Sequence, residues 1–305
     1  MTVSKDQWLF LGGRQAGSLG SRMAAQLGAE YVSIHRHYFS DGNLFVQVPG
    51  ALSGRRVVIV QSLWGEQVNN DLMELLFAAD AVWREGAAEI VAIVPYFSYG
   101  KSDKQDGPGT SIRSAAVGHM MASAHISRLM TCELHNTSVT GFFPMPVMNL
   151  SVQETLVAAI GAWQLPAEEA VLVSPDAGFA KRAHELAGIL GWPCVVADKN
   201  RPDHSERPQF WGVSGSLAGK QAVIVDDFTT SGGTLIQLAQ LLAQQGAVSV
   251  RAAVTHAPVQ AAASEKIQGS LLVKLVTTNT TLTADTGKIE VVDVSGVLAA
   301  AVSVL

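Results

Sequence analysis

Short apolar runs alternate along the chain with longer segments in which apolar residues recur at helical spacing. The runs predict strands at Trp8–Leu11, Val57–Gln61, Glu89–Val94, Arg128–Glu133, Ala170–Ser174, Cys194–Ala197, Gln221–Val225, Val248–Val254, Leu271–Thr277 and Ile289–Asp293. Helical spacing is clearest at Asn70–Glu85, Ile112–Ala124, Gly178–Leu190 and Gly233–Gln245. This alternation predicts an α/β fold in which mainly parallel sheets are flanked by helices.

The same organisation occurs twice along the chain, which predicts two similar domains. The proline-spaced segment Phe143–Pro146 resists helix formation and places a boundary near Asn149–Ser151. We therefore predict an N-terminal domain over residues 1–149, joined by the C-terminal segment 289–305, and a second domain over residues 150–288. Within the second domain, Asp198–Gly215 is polar and aperiodic and directly follows a strand, which is typical of a functional loop.

Composition narrows the classes of partner. The 305 residues carry a net charge of −5, so a general basic surface for nucleic acid or an anionic membrane is not expected. Only 15% of the residues are charged, against about 25% in an average soluble chain, so we expect sister subunits to cover part of the surface. The two cysteines and the absence of a signal-peptide pattern or a long apolar run predict a cytoplasmic protein outside the membrane.

The most informative motif is Val-Ile-Val-Asp-Asp-Phe-Thr-Thr-Ser-Gly-Gly-Thr-Leu at residues 223–235. An apolar strand leads into two carboxylates and then into a hydroxyl- and glycine-rich turn that opens a helix. Gly232 and Gly233 let backbone N–H groups converge, and the start of a helix attracts anions, so a phosphate monoester is well matched. Asp226 and Asp227 would lie within about 10 Å of that phosphate, where they could accept hydrogen bonds from ribose hydroxyls. The alternative for the hydroxyl residues is an ordinary helix N-cap.

This motif resembles the phosphoribosyl-pyrophosphate loop shared by type I phosphoribosyltransferases and ribose-phosphate pyrophosphokinases. Further segments are similar to the second family alone, and they occur in family order from about Trp8 to Asp293. They are Phe39-Ser40-Asp41-Gly42-Asn43, Val68–Leu76, Pro95–Lys104, Glu133-Leu134-His135 with Gly141-Phe142-Phe143, Val173–Gly178 and Asp198-Lys199-Asn200-Arg201.

The resemblance implies transfer of the β,γ-diphosphoryl group of ATP to the C1 hydroxyl of ribose 5-phosphate, which yields phosphoribosyl pyrophosphate and AMP. It also implies Mg²⁺ as the metal and a homo-oligomeric enzyme. Positioning and charge neutralisation would dominate such a reaction, because two polyanions must be held in line.

Residue roles follow from the same resemblance. Binding of ribose 5-phosphate is implied for Asp226, Asp227, Thr229, Thr230, Ser231, Gly232, Gly233 and Thr234. Nucleotide binding is implied for Phe39, Asp41, Asn43, Lys101, Ser102 and Asp103. Catalytic cations are implied at Lys199 and Arg201, and metal ligands at His135 and Asp176.

Structural alternatives exist for several of these residues. Asp176 could cap the helix that begins near Gly178, and Phe39 could be a core aromatic. Lys199 and Arg201 alternate along an extended segment and could face one phosphoryl group, or they could be solvated surface charges.

The chain departs from the family pattern at Asn43, where an acidic residue is common, and at Lys101 and Ser102, where arginine and glutamine are common. Lysine keeps the charge of arginine but loses bidentate phosphate recognition. These departures leave open a non-catalytic homologue that assembles with active subunits. A type I phosphoribosyltransferase is a further alternative, although it would not need the first-domain segments or the two cations.

Overall fold

The computed structural model describes residues 8–200 and 209–305 of the chain. Its strands are β1 (Trp8–Gly12), β2 (Glu30–Ser33), β3 (His35–Tyr38), β4 (Leu44–Gln47), β5 (Arg56–Val60), β6 (Glu89–Ile93), β7 (Arg128–Cys132), β8 (Val147–Leu150), β9 (Ala170–Ser174), β10 (Cys194–Asn200), β11 (Gln209–Val213), β12 (Gln221–Phe228), β13 (Ser249–His256), β14 (Leu272–Thr278) and β15 (Ile289–Val292). Its α-helices are α1 (Leu19–Leu27), α2 (Val68–Arg84), α3 (Arg113–Ser123), α4 (Gln153–Gly161), α5 (Ala180–Leu190), α6 (Gly233–Gln244), α7 (Ala261–Gln268) and α8 (Ser295–Ser303).

The first compact unit extends to Ser151 and also holds Thr280–Leu282 and Val294–Leu305. Its sheet is parallel, with the strand order β2-β1-β5-β6-β7-β8. Helices α2 and α3 bury Leu75 and Met121 against one face, in a core that includes Ile59. Helix α1 packs on the other side, where Gly20 lies close to Val60.

The second unit comprises Val152–Asn279 and Thr283–Asp293. Its strand order is β11-β10-β9-β12-β13-β14-β15, and the edge strand β11 is antiparallel to β10. Alternate residues of β12 point to opposite faces: Ile224 packs in the core formed with α6 and α7, and Val225 packs in the core formed with α4 and α5. Each unit therefore has a mainly parallel sheet flanked by helices, which confirms the predicted fold class.

The C-terminal segment divides between the two units. The predicted first domain includes residues 289–305. In the structure β15 extends the second sheet by pairing with β14, and only the chain from Val294 onwards lies in the first unit. There α8 packs on α1, and Gln26 Nε2 donates to Ser295 Oγ at 2.9 Å.

Several strands had no counterpart in the sequence prediction. Strands β2, β3, β4 and β8 have four residues each and are half-buried or exposed, so they lack the continuous apolar run that marks a buried strand. The segment Asp198–Gly215, predicted to be irregular, begins with the end of β10 and contains β11. Among the described helices, we find none that combines the length and the apolar character needed to cross a membrane.

Candidate active site

Two adjacent carboxylates stand at the carboxyl end of β12, in the middle of the second sheet. The strand pairs in parallel with β13, and Asp226 lies opposite Val254 in this register. The backbone N–H of Asp227 donates to Asp226 Oδ1 at 2.9 Å, and Asp227 is only 5% exposed. The end of a parallel strand thus holds two acids in one small, largely buried volume.

The surroundings disfavour ionisation of Asp226. Burial raises the pKa of its carboxyl well above the usual range, and the neighbouring charge and carboxyl group of Asp227 and the charge of Asp176 raise it further. Desolvation and like charges both penalise the carboxylate form. Hydroxyl donors or a cation bound beside this pair would offset that penalty.

The turn after the acid pair is shaped by a glycine. Gly232 adopts the left-handed conformation, with φ of 72° and ψ of −6°, and forms the N-cap of α6. A Cβ atom at this position would lie 2.9 Å from Ile267 Cγ1, so the turn has no space for a side chain. The N-cap is therefore a glycine rather than one of the hydroxyl residues that the sequence alternative considered.

The remaining turn residues present hydroxyl and N–H groups at the start of α6. The N–H of Thr229 donates to the carbonyl of His256 at 2.8 Å, and the N–H of Gly233 donates to Ser231 Oγ at 3.3 Å. Thr230 and Ser231 are exposed, whereas Thr229 is buried. Because the N-cap has no side chain to engage the first-turn N–H groups, this helix start can receive an anion.

Asp176 follows β9 and takes part in a local turn. Its Oδ1 accepts a hydrogen bond from the N–H of Phe179 at 3.2 Å, directly before α5 begins at Ala180. The hydroxyl of Ser174 donates to the Asp176 carbonyl at 2.8 Å. Asp176 therefore holds the turn that leads into α5 rather than capping its first turn, because the N-cap is Phe179 and has no side-chain cap hydrogen bond. The charge of Asp176 also acts on Asp226.

The two predicted catalytic cations lie beyond the predicted end of their strand. Strand β10 continues to Asn200, and the backbone of Lys199 pairs with Phe210 of β11. The extended backbone expected around Lys199 is therefore present. Arg201 lies outside the described residues.

In the first unit, the first predicted nucleotide segment, Phe39–Asn43, joins the antiparallel strands β3 and β4. Asp41 Oδ1 accepts from the N–H of Asn43 at 3.0 Å, and the N–H of Phe39 donates to the Asn43 carbonyl at 2.9 Å. Phe39 is 49% exposed and contacts His37 edge to face, with ring centroids 5.2 Å apart. Its aromatic face is therefore not part of the core, contrary to the structural alternative.

The second predicted nucleotide segment, Pro95–Lys104, contains a short 3₁₀ helix, Ser98–Lys101. Lys101 Nζ lies 5.8 Å from the centroid of the Tyr96 ring. Ser102 is 3% exposed, and its hydroxyl donates to the Ser111 carbonyl and accepts from the N–H of Arg113, each at 3.3 Å. Its side chain thus holds the beginning of α3, which leaves little of the hydroxyl accessible to a ligand.

His135 is exposed on a loop that follows β7 and is anchored on both sides. The N–H of Leu134 donates to Asn149 Oδ1 at 2.9 Å. On the other side, Asn136 Nδ2 donates to Asp103 Oδ2 at 2.6 Å, which joins the histidine loop to the second nucleotide segment.

Sequence reasoning missed Asn136, although its pattern carried a signal. Its Oδ1 caps the following 3₁₀ turn by accepting from the backbone N–H of Ser138 at 3.0 Å, because an Asn side chain often bonds the backbone two residues on. Glu133 was quoted only as part of a motif. The structure places it in the left-handed region, with φ of 42°, and Ser151 Oγ donates to its Oε1 at 2.7 Å. A non-glycine residue in that region is strained, and such strain is frequent near functional sites.

Among residues 8–200 and 209–305, no three His, Cys, Asp or Glu side chains are grouped so as to hold a metal ion by themselves. The donors present still suit a magnesium ion, because Mg²⁺ commonly takes one or two carboxylates and completes its shell with water and substrate phosphates. The crowded carboxyls at Asp176, Asp226 and Asp227 are consistent with a cation that arrives together with a substrate.

Comparison with known proteins finds two family models in this chain. Residues 9–124 match the N-terminal domain of ribose phosphate pyrophosphokinase, and residues 152–277 match the phosphoribosyl transferase domain. A ribose-phosphate pyrophosphokinase of Aquifex aeolicus is 35% identical over 295 residues, which cover 96% of this chain and 94% of the relative. One from Maricaulis maris is 33% identical, over 88% of this chain and 86% of the relative.

A solved structure gives the same result. The crystal structure of phosphoribosylpyrophosphate synthetase from Mycobacterium smegmatis is similar to this chain with a TM-score of 0.88 and 27% identity. The similarity covers 97% of this chain and 98% of that one, so it includes both units.

Proposed function

Because this chain belongs to the ribose-phosphate pyrophosphokinase family, we propose that it transfers the β,γ-diphosphoryl group of ATP to the C1 hydroxyl of ribose 5-phosphate. The products would be phosphoribosyl pyrophosphate and AMP. One observation carries this proposal: the acid pair and glycine turn at the end of β12 occur in a chain whose first unit matches the N-terminal domain of that family. A phosphoribosyltransferase would need the acid pair and the glycine turn but not the first unit.

The proposed ribose 5-phosphate site is the turn of residues 226–234. Asp226 and Asp227 accept hydrogen bonds from the ribose hydroxyls, because hydroxyl groups are suitable donors to carboxyl oxygens. The 5′-phosphate would lie at the start of α6, where backbone N–H groups are available and where Thr229, Thr230, Ser231 and Thr234 are the proposed hydroxyl donors. Gly232 and Gly233 allow the backbone to approach it closely.

The nucleotide is proposed to bind the first unit. The exposed Phe39 ring offers a face for the adenine, and Asp41 and Asn43 offer polar groups beside it. Lys101 supplies positive charge for the phosphates, and Asp103 aligns its segment through Asn136. The buried hydroxyl of Ser102 fixes the end of the same segment by donating to the Ser111 carbonyl.

Lys199 and Arg201 are proposed to stabilise the negative charge that develops on the diphosphoryl group. Their positive charges would be most effective when water is excluded around them. A bound Mg²⁺ would neutralise phosphate charge and orient the diphosphoryl group, with His135 and Asp176 as the proposed protein ligands. The charged groups therefore position and stabilise the reacting phosphates rather than form covalent bonds to them.

We also propose a homo-oligomer that acts on small molecules, with no role for nucleic acid or membrane. The low charged fraction of the chain supports the first point, and the net charge of −5 supports the second. A cytoplasmic location stays a prediction.

To test the reaction, the purified chain is incubated with ATP, ribose 5-phosphate and Mg²⁺, and the phosphorus-containing species are followed by ³¹P NMR. We expect AMP and phosphoribosyl pyrophosphate to appear in equal amounts. Formation of ADP would contradict the proposal, because it reports transfer of a single phosphoryl group. Binding of both substrates without any AMP would instead indicate the regulatory homologue.

The Lys199→Ala variant tests the proposed transition-state role. We expect kcat to fall about 100-fold while both KM values stay within about threefold, since the charge acts mainly on the transition state. Lys266→Ala, which removes an exposed lysine on α7, is the matched control and should leave both constants unchanged. Equal effects on kcat and KM would count against this role.

A further inference from the structure

The hairpin of β3 and β4 has two faces of different character. Within the described residues, its strands form a separate two-stranded sheet and pair with no strand of the main sheet. One face is anchored on the first unit, because Val46 packs against the core and Arg36 Nη1 lies 3.4 Å from Glu74 Oε1. Since side chains alternate along a strand, the residues next to Val46 and Arg36 belong to the opposite face.

That opposite face carries aromatic rings, whereas the solvated face of an antiparallel strand usually carries polar residues. His35 and His37 of β3 are exposed, and Phe45 of β4 is 42% exposed. His37 lies directly opposite Phe45 in the register of the hairpin, and Phe39 follows two residues later. Exposed rings add little to the core of their own unit, and an exposed apolar patch commonly marks a binding surface.

The rings of this face contact one another edge to face and converge on Phe39. The centroid of the Phe39 ring lies 5.2 Å from that of His37, with an interplanar angle of 89°, and 6.2 Å from that of Phe45, with an angle of 74°. His35 contacts Phe45 in turn, with centroids 6.5 Å apart. Aromatic pairs favour this geometry, so the ring of Phe39 has one neighbour on its own strand and one across the hairpin.

The backbone at Phe39 is fixed separately by the turn. The N–H of Phe39 donates to the Asn43 carbonyl, and the Phe39 carbonyl accepts from the N–H of Gly42, each at 2.9 Å. Gly42 has a φ of 86°, which glycine adopts without strain. With its backbone held in this way, Phe39 keeps mainly the rotation of its side chain, and the contacts with His37 and Phe45 restrict that rotation.

We propose that His37 and Phe45 are positioning residues that hold the Phe39 ring in the orientation in which it stacks on the nucleobase. The proposal rests on the proposed assignment of Phe39 to the adenine of ATP. Its physical basis is preorganisation: a ring that two neighbours already hold loses less rotational freedom when the ligand binds. The two residues thus strengthen binding without contacting the nucleotide themselves.

The Phe45→Leu variant tests the contact across the hairpin, because it removes the ring and keeps an apolar side chain. We expect the KM for ATP to rise about three- to tenfold, as for the loss of one edge-to-face contact, with kcat and the KM for ribose 5-phosphate within about twofold of the parent. Phe45→Tyr keeps the ring and should retain the parent constants. His37→Leu and His37→Phe make the same comparison on the neighbouring strand.

The matched control is Phe77→Leu, the same substitution at a phenylalanine of α2 that is 39% exposed. This control should leave kcat and both KM values unchanged. Light scattering should give the parent mass for every hairpin variant, so that a change in the ATP KM reports the ring contacts and not the assembly. Equal rises in the KM of both substrates, or the same rise in the ATP KM for Phe77→Leu, would overturn the proposal.

A double-mutant cycle shows whether Phe45 acts through Phe39. Phe39→Leu alone should raise the ATP KM. Adding Phe45→Leu to it should change the ATP KM by less than about twofold further, because no ring is left to position. Effects of the two substitutions that multiply in full would overturn the proposal, since Phe45 would then meet the nucleotide independently of Phe39.

The same variants distinguish failure of this proposal from failure of the proposed function. A raised ATP KM in Phe39→Leu, with an unchanged one in Phe45→Leu and His37→Leu, would overturn the positioning role alone. An unchanged ATP KM in Phe39→Leu would overturn the assignment of Phe39 to the nucleotide, and the positioning role with it. If the parent chain binds ATP but releases no AMP, the proposed reaction fails, and calorimetric titration with ATP decides the positioning role by the same pattern of dissociation constants.

Discussion

Asp226 shows how folding changes the chemistry of a single residue. Its carboxyl leaves water and meets the carboxyl of Asp227 and the charge of Asp176, and the pKa of Asp226 rises for these reasons. A raised pKa means that the folded chain holds the proton more tightly than the unfolded chain does. This contribution stabilises the fold below the usual Asp pKa of about 3.9 and is lost as the pH rises through the raised value.

The Asp226→Asn variant should therefore be more stable than the parent at pH 8 in the absence of ligands, because it removes a buried charge. Near pH 3.5 this gain in the free energy of unfolding should shrink, because the Asp226 carboxyl of the parent is then largely protonated. Urea unfolding at the two pH values measures this difference. The same variant should lose activity with ribose 5-phosphate, as a site that gives up stability for binding would.

A matched control is Asp285→Asn, which removes an exposed carboxyl of the second unit. Compared with the parent, this control should not gain free energy of unfolding at pH 8 as Asp226→Asn does. A parent and an Asp226→Asn variant with equal stability at pH 8 would contradict the inference of an unfavourable buried charge.

Single residues also show the limits of sequence reasoning. Ser102 and Phe39 both lie in segments that resemble the family. The Ser102 hydroxyl is enclosed by Ser111 and Arg113, whereas the Phe39 side chain is half exposed. The identity of a residue gives its chemistry, whereas exposure depends on which distant segments pack beside it.

At the scale of elements, the strand–turn–helix unit of β12 and α6 is the best-determined part of the site. Its buried strand, acid pair and glycine turn are all local in the chain, so the spacing alone indicated where the helix begins. The predicted helix Gly233–Gln245 ends within a residue of the observed α6.

Gly232→Ala tests the geometry of this turn. The residue has a φ of 72°, and an added Cβ would lie 2.9 Å from Ile267 Cγ1. We expect a loss of about 1–2 kcal/mol in the free energy of unfolding, together with a higher KM for ribose 5-phosphate. Chemical unfolding and steady-state kinetics measure the two effects.

Gly233→Ala is the comparison for stability. Its φ is not positive, and the nearest atom to an added Cβ is Ser231 Oγ at 3.3 Å. This variant should retain the stability of the parent, although the methyl group would narrow the approach to a phosphate. If both variants lose stability equally, the left-handed backbone at Gly232 is not the cause.

The hairpin of β3 and β4 behaves differently from β12. Its residues are exposed or half-buried, so they show no apolar run from which the strands could be predicted. The hairpin is held by Val46 and Arg36 through contacts with α2, more than 20 residues away in sequence. Only the folded chain shows that the predicted nucleotide segment Phe39–Asn43 forms the turn of this hairpin.

At the scale of the whole molecule, exposed apolar side chains support the proposed oligomer. Trp211, Ile189 and Trp83 are among the large apolar residues exposed on the described surface. With only 15% charged residues, the chain has few groups with which to solvate a large free surface.

Light scattering coupled to size exclusion should therefore give a mass that is a multiple of 32.2 kDa. An apolar interface should persist at about 1 M salt, because screening weakens charged contacts rather than apolar ones. A mass of one chain at micromolar concentration would contradict the prediction, and dissociation only at high salt would indicate a charged interface instead.

The amino-acid pattern by itself determined the α/β class, the long buried strands and the glycine turn between β12 and α6, because each depends on neighbours a few residues apart. Tertiary structure decided what depends on distant partners: the pairing of Arg14 with Asp71, the link between Asn136 and Asp103, and the placement of β15 in the second sheet. It also decided the raised pKa of Asp226, since desolvation exists only once the surrounding segments have packed. The local spacing of residues specifies helices and strands, whereas the burial and the electrostatic surroundings of a side chain depend on how those elements pack together.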